Sequence, residues 1–363
     1  MTKKKIAFVI GALTAGGAER VISTLSNEFI SDFNVTIITF RKTEPFYRLD
    51  HAVTVISCFD EISQPNSFLE SIKLNYKIYK RITQIVKDLN IDLLIGFITQ
   101  ANIKTVLAAK KNKIPCIISE RSDPFKSDIP RFWLILRKLI YPRANSIVVQ
   151  TKKVKEIYQK MLNHENIVVV PNPISTDFTE LATSEVKKEK IILSVGRLNN
   201  DKRHDLLIKA FKTLSPKDWK VLIIGFGSNK SKLQKLINDL DLSHQIEIKS
   251  NIKNIEDYYR RASLFIFTSR AEGFPNVLLE AMYFKLPCIS TDCNYGPSDI
   301  ITNGQDGFLI PVDNQSRLVA KMDQVIKDED LRTIISQNGH KTALKYKSKI
   351  VTRMWKNIIS KHI

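Results

Sequence analysis

The stretch KIAFVIGALTAGGAER, residues 5–20, decides how the rest of the chain is read. Ile6–Ile10 is an unbroken apolar run, and Gly16 and Gly17 then permit a tight turn. A helix opens at about Ala18. Basic residues ahead of an apolar run also imitate a secretory signal. The glycine turn and the helix that follow at once favour a first buried strand instead. No stretch reaches about 18 consecutive apolar residues, so no membrane-spanning helix is expected.

The same unit recurs along the chain. KIAFVIGA, NVTIITF, VTVISC, DLLIGF, PCIISE and SIVVQT read as buried strands. Amphipathic segments after GGAER, around 68–90, 101–112, 130–142 and 151–162, read as the helices between them. Strands and helices in this rhythm predict a parallel sheet covered on both faces. At 171–189 the rhythm breaks in PNPISTDFTELATSEVKKEK, which carries prolines and many polar residues and reads as a linker. It restarts with KIILSVG, KVLIIGFG, QIEIK, LFIFTS, PCIST and GFLI. The fold expected is therefore α/β: two doubly wound domains meeting at a cleft.

Composition agrees with two cores. The chain has 363 residues, 43% of them hydrophobic, more than one compact domain usually carries. Its 56 lysines and arginines against 37 acids give a net charge of +19, which favours an anionic partner: nucleic acid, acidic lipid or a phosphorylated small molecule. Cys58, Cys116, Cys288 and Cys293 do not pair at metal-ligand spacing, and reduced, buried thiols of a cytoplasmic protein are expected. His204 reads as a surface residue of a helix's first turn. Asp239-Leu240-Asp241 matches the letters of a metal-binding DxD but lies at a helix end, so it reads as a solvated terminus.

Four loops carry candidate chemistry. Gly16 and Gly17 precede a helix N-terminus, whose free N–H groups suit a phosphate or a sugar edge, or simply make an ordinary strand–helix turn. Arg197 and Lys202 follow a buried strand in SVGRLNNDKRHDLLIKAF, residues 194–211. There they either neutralise a diphosphate or belong to a solvated basic loop. SRAEGFPNVLLEAM, residues 269–282, puts Glu272 just before a helix and Glu280 just over one turn into it, with Gly273 at the bend and Pro275 in the first turn. Carboxylates repel a phosphate held by Arg197 and Lys202. Their natural partners are neutral hydroxyls, the sugar on one side of a diphosphate and a ribose on the other. That describes a nucleotide-sugar site. TDCNYGPSDIITNGQDGFLI, residues 291–310, reads as another ligand loop through Asn294 and Tyr295.

These motifs resemble the GT4 family of retaining glycosyltransferases of the GT-B fold. Glu272 and Glu280 match its E-x7-E signature, and the GGAE turn, GRL…DK and VPNPI occur in family order. The resemblance covers essentially the whole chain. It implies a first Rossmann-like domain over 1–170 that binds acceptor, a linker over 171–189, and a nucleotide-sugar domain over 190–345. A C-terminal helix over 346–363 would pack back on the first domain. Arg197 and Lys202 would hold the donor diphosphate. Glu272 would hold the donor sugar, beside the backbone amides of Gly273, Phe274, Pro275 and Asn276, and Glu280 the ribose. Gly16 and Gly17 would approach the donor phosphate or sugar. Where relatives with SEH carry a histidine this chain has Arg121, next to Glu120; the two are candidates for a sugar or phosphate contact, or for a structural salt bridge. No cofactor and no metal are expected, since the nucleotide sugar is a substrate and cationic side chains replace the ion.

Two basic, amphipathic segments add a further expectation. In SIKLNYKIYKRITQIVKDL, residues 71–89, Ile72, Tyr76, Tyr79, Ile82, Val86 and Leu89 form one apolar stripe flanked by Lys73, Lys77 and Arg81. PRFWLILRKLIYPR, residues 130–143, mixes Trp133 with arginines. These segments either touch an anionic leaflet, grip a polyprenol-diphosphate acceptor, or face core and water. The expected activity is transfer of a hexose or N-acetylhexosamine from a UDP-sugar to a growing, lipid-linked surface glycan by a cytoplasmic, peripheral membrane enzyme. Its rivals are a glycosidase using Glu272 and Glu280, and a non-enzymatic binder of anionic polymers.

Overall fold

The computed structural model describes residues 2–121, 124–125, 130–175, 178, 186–252 and 254–363. The chain forms two compact units, Met1–Ser175 with Ser348–Ile363, and Thr176–Lys347.

In the first unit the strands are β1 (Lys4–Ile10), β2 (Phe33–Arg41), β3 (Thr54–Phe59), β4 (Leu93–Phe97), β5 (Cys116–Ser119), β6 (Ser146–Val149) and β7 (Ile167–Val169). The helices are α1 (Gly17–Phe29), α2 (Phe68–Leu89), α3 (Thr99–Asn112), α4 (Arg131–Ile140) and α5 (Lys152–Leu162). All pairings are parallel, in the order β3-β2-β1-β4-β5-β6-β7. Helices on both faces leave such strands no solvent side, so they are apolar without alternation. In β4 every residue is buried. α1 buries Val21, Ile22, Leu25 and Phe29, one helical face.

A last helix, labelled α13 below, also belongs to this unit and spans Ser348–Ile359. Its Val351, Trp355, Ile358 and Ile359 join the core of Phe8, Phe29 and Phe97, and Trp355 stacks on Phe97 at 5.8 Å. Ser348 Oγ donates to Glu28 at 2.7 Å, and Lys356 pairs with Asp32 at 2.6 Å.

The second unit holds β8 (Ile191–Val195), α6 (His204–Leu214), β9 (Lys220–Ile224), α7 (Lys230–Asp239), β10 (Ile246–Lys249), α8 (Ile255–Arg261) and β11 (Leu264–Phe267). It continues with α9 (Asn276–Tyr283), β12 (Cys288–Thr291), α10 (Pro297–Ile300), β13 (Phe308–Ile310), α11 (Gln315–Lys327) and α12 (Glu329–Ala343). Its parallel sheet runs β10-β9-β8-β11-β12-β13. In each sheet the order reverses beside the first strand, between β1 and β4 and between β8 and β11. Such doubly wound sheets bind ligands at the carboxyl ends of those strands.

The sequence differs from its simplest reading in three places. Asn172 and Ile174 are buried in the first unit, and Phe178 packs on Tyr259 and Phe284 in the second. These parts of 171–189 are therefore fixed by packing rather than spanning freely, and 176–177 and 179–185 lie outside the described residues. The stripe expected along α2 is not one face. Ile78, Ile82, Ile85 and Val86 are buried, whereas Ile72 and Tyr76 are 41% and 54% exposed. Trp133, proposed as an outer contact, is 9% exposed and lies against the Lys104 ammonium at 4.8 Å. The four cysteines are free and buried. Burial pushes Cys58 and Cys293 up to about 12 and Cys116 to about 11.

Candidate active site

In the second unit the loops at the switch point meet. Lys202, after β8, donates through Nζ to Glu272 Oε1 in the loop after β11; their side chains are 15% and 11% exposed. The Lys202 ammonium also faces the Phe267 ring at 5.3 Å. Two hydrogen bonds to main-chain carbonyls hold the loops in register: Thr268 Oγ1 donates to Lys202 O at 2.7 Å, and Arg270 N to Asp201 O at 2.7 Å. Arg197 is exposed, and its guanidinium makes no hydrogen bond or ion pair among the described residues. One charge is thus clamped to a carboxylate and a second stands open at the same strand's end.

The loop carrying Arg197 has its shape because two neighbouring positions are glycine. A Cβ on Gly225 would lie 1.9 Å from Gly196 O, and one on Gly227 2.4 Å from Leu198 O. Leu198 N donates to Phe226 O at 2.7 Å, so the loops after β8 and β9 touch through their backbones. Sequence reasoning passed over Gly225 and Gly227; the GFG after KVLII was the available signal. It also misread His204, which is 3% exposed. Its Nδ1 lies 3.3 Å from Ser194 Oγ, beneath the Gly196–Lys202 loop. Burial, reinforced by the Lys202 charge, pushes it down to about 4, so this imidazole is neutral at physiological pH.

Glu280 sits on α9 and is 4% exposed, its Oε2 accepting from Tyr259 Oη at 3.0 Å. Phe274 is buried against Tyr346, rings 6.1 Å apart, and Pro275 is the residue preceding α9 rather than its first turn. Gly273 lies at a bend, as expected, though without left-handed backbone; a second turn with positive φ lies at Tyr295, φ 66°, and Gly296, φ 111°. A Cβ on Gly296 would meet Pro275 Cδ at 2.4 Å, and Ala271 bridges Asn294. Asn294 is exposed and Tyr295 is 6% exposed. Strain of this kind concentrates at ligand loops. Asp239 is the last residue of α7, and Asp241 has left-handed backbone at φ 55°.

The first unit carries a separate polar cluster. Gly16 caps α1 with φ −147°, extended backbone, so its glycine is not needed for a left-handed turn. A Cβ there would strike the Glu19 carboxylate at 2.1 Å. Burial raises Glu19, opposed by its own N–H and by Thr14. Gly17 is the first residue of α1. Glu120, proposed as a ligand contact, is 1% exposed and consumed internally. It accepts from Tyr141 at 2.7 Å, Thr99 at 2.9 Å and Arg121 N at 3.1 Å. Arg121 donates to Asn172 Oδ1 and lies over Phe97 at 4.7 Å and Trp355 at 5.7 Å. Its Nε and Nη2 are buried without a partner among the described residues. Burial pushes it down to about 9, with the Glu120 charge opposing, so it stays a cation. Ile98, just past β4, has φ 74°, which for a β-branched residue is strained.

Residues 15–178 match the family described as Glycosyltransferase Family 4, and residues 177–342 match Glycosyl transferases group 1. The chain is a family 4 glycosyltransferase of the GT-B fold. It is 28% identical over 359 residues to the "GalNAc-alpha-(1->4)-GalNAc-alpha-(1->3)-diNAcBac-PP-undecaprenol alpha-1,4-N-acetyl-D-galactosaminyltransferase" of Campylobacter jejuni, covering 98% of each chain. It is 28% identical over 364 residues to the amylovoran biosynthesis glycosyltransferase AmsD of Erwinia amylovora, covering 98% of this chain and 99% of that one. Solved structures agree on the fold. A glycosyltransferase from Rickettsia africae superposes with TM-score 0.81 at 20% identity, covering 99% of this chain and 98% of its own. Anabaena HepE in complex with UDP superposes with TM-score 0.79 at 16% identity, covering 98% and 100%.

Proposed function

We propose that this glycosyltransferase moves a hexose or N-acetylhexosamine, with retention, from a UDP-sugar to a hydroxyl of a lipid-linked surface glycan. The observation that carries the donor site is the Lys202–Glu272 pair beside the open guanidinium of Arg197, at the switch point of the second sheet. Diphosphate would draw the Lys202 ammonium into its own field and free Glu272 to accept from sugar hydroxyls. Arg197 supplies a planar donor fork for the same diphosphate. Glu280, braced by Tyr259, is assigned the ribose hydroxyls, and Gly16 and Gly17 a contact with the donor phosphate or sugar.

Retention without a protein nucleophile points to attack from the face the diphosphate leaves. The acceptor oxygen forms its bond to the anomeric carbon as the bond from that carbon to the phosphate oxygen breaks. The acceptor proton passes to the departing phosphate, whose charge Arg197 and Lys202 stabilise. This chemistry assigns no step to a metal. The undecaprenol-linked substrate of the Campylobacter jejuni relative supports a lipid-linked acceptor; on this reading the enzyme works at the cytoplasmic face of a membrane and takes no nucleic-acid partner.

A glycosidase needs two carboxyls facing one sugar bond. Glu272 is held by Lys202, whereas Glu280 is 4% exposed on Tyr259, which disfavours that reading. The test is incubation with UDP-sugars and a polyprenol-diphosphate saccharide, read by mass spectrometry. A one-sugar mass increment with release of UDP is expected. Hydrolysis of free oligosaccharide without nucleotide would favour the glycosidase instead.

A further inference from the structure

The outward faces of α2 and α4 meet. Phe68 and Phe132 are in edge contact with ring centroids 5.6 Å apart. Around them Leu69 is 69% exposed, Ile135 59% and Leu139 60%. Scattered exposed apolar residues need no explanation, but a contiguous group on two touching helices does. Cations stand among them: Lys73, Lys77, Lys80 and Arg81 on α2, Arg131 and Lys138 on α4, all exposed and none ion-paired among the described residues. There is no acid from Ser71 to Lys87 or from Pro130 to Arg143. Glu70, just ahead of the acid-free α2 stretch, is engaged at the start of that helix, where its carboxylate accepts from Asn66 N at 2.8 Å.

We propose that this face of α2 and α4 docks the first unit on an anionic phospholipid bilayer. The aliphatic and aromatic side chains enter the boundary between headgroups and acyl chains, and the lysines and arginines meet the lipid phosphates. A second copy of the chain fits badly, because a two-fold interface would press two acid-free basic faces together. A nucleic acid would meet the cations but leave Leu69, Ile135 and Leu139 unmatched. The function of this surface, though not its chemistry, rests on the lipid-linked acceptor proposed above: it would keep the enzyme where that acceptor lies.

The test is co-flotation of the full chain with vesicles of phosphatidylglycerol and phosphatidylethanolamine, against vesicles of phosphatidylcholine alone, without substrates. Wild type should float with the anionic vesicles and be largely released by high salt. Lys73→Glu/Lys77→Glu should weaken partitioning roughly 30-fold or more, from about fivefold per lysine. Ile135→Ser/Leu139→Ser should weaken it at least about tenfold from lost apolar insertion. Both variants should keep the wild-type melting temperature and UDP binding, because the altered side chains are exposed. Failure of wild type to float at low salt, equal flotation with phosphatidylcholine, or unchanged flotation of both variants would overturn the proposal. So would a dimer that the isoleucine and leucine changes dissolve. UDP binding without flotation would sink the docking surface alone, and flotation without UDP binding the UDP-donor reading alone.

Discussion

Replacing Lys104 by methionine should stabilise the protein, most at low pH. Lys104 lies on α3 and is 2% exposed. Its ammonium sits between the rings of Phe40 and Trp133, 4.8 Å from each, and reaches Gln100 O at 3.3 Å. Cys58, the group whose charge would favour the ammonium, is itself pushed up to about 12 and stays a neutral thiol. Burial therefore pushes Lys104 from 10.5 down to about 7. That drop corresponds to a penalty of about 5 kcal/mol on the charged form. The aromatic faces return about 1–2 kcal/mol, leaving a few. The sign follows from linkage. Between the folded and unfolded values the unfolded chain binds more protons, so wild-type stability rises with pH through that window. Methionine has no such dependence. The advantage of Lys104→Met should be greatest near about pH 6 and shrink by about 2–3 kcal/mol by about pH 9. Urea titrations at both pH values measure it. A variant less stable than wild type at the lower pH, or a difference that does not change with pH, would show that Lys104 is a satisfied cation and refute the reasoning.

Trp355→Ala should cost about 3–5 kcal/mol by emptying the space between Phe97 and α13, read as a lower urea midpoint with the second unit's nucleotide site intact. Gly225→Ala must displace the loop carrying Arg197, because its Cβ falls 1.9 Å from Gly196 O; UDP affinity should fall well before stability does, by calorimetry against melting temperature. Gly16→Ala should push the Glu19 carboxylate off the α1 N-terminus and raise KM for the donor with little change in melting temperature.

The fold was legible because parallel strands covered on both faces must be apolar throughout, and runs such as DLLIGF and LFIFTS can be little else. The loops bearing Arg197, Lys202 and Glu272 were legible as strand ends followed by helix starts. What stayed hidden depends on which side of a helix a neighbour covers. Lys104 and His204 carry polar side chains that sequence places outside, yet packing puts both inside. Trp133 and Ile135 stand two positions apart on α4, on opposite sides of the helix, and only the packing of α4 against α3 decides which one is buried. Glu120 looks available until Tyr141 and Thr99, distant in sequence, are brought to it. The strain at Ile98 and Tyr295 has no signature in residue type, since neither is a glycine.

Isothermal titration of UDP into wild type, Lys202→Ala and Arg197→Ala tests the donor site most directly. Saturable binding by wild type and a loss of affinity of about tenfold or more in each variant is the result expected, the scale of one charge-assisted contact. No heat with wild type, or equal affinities in all three proteins, would place the nucleotide somewhere other than the ends of β8 and β11.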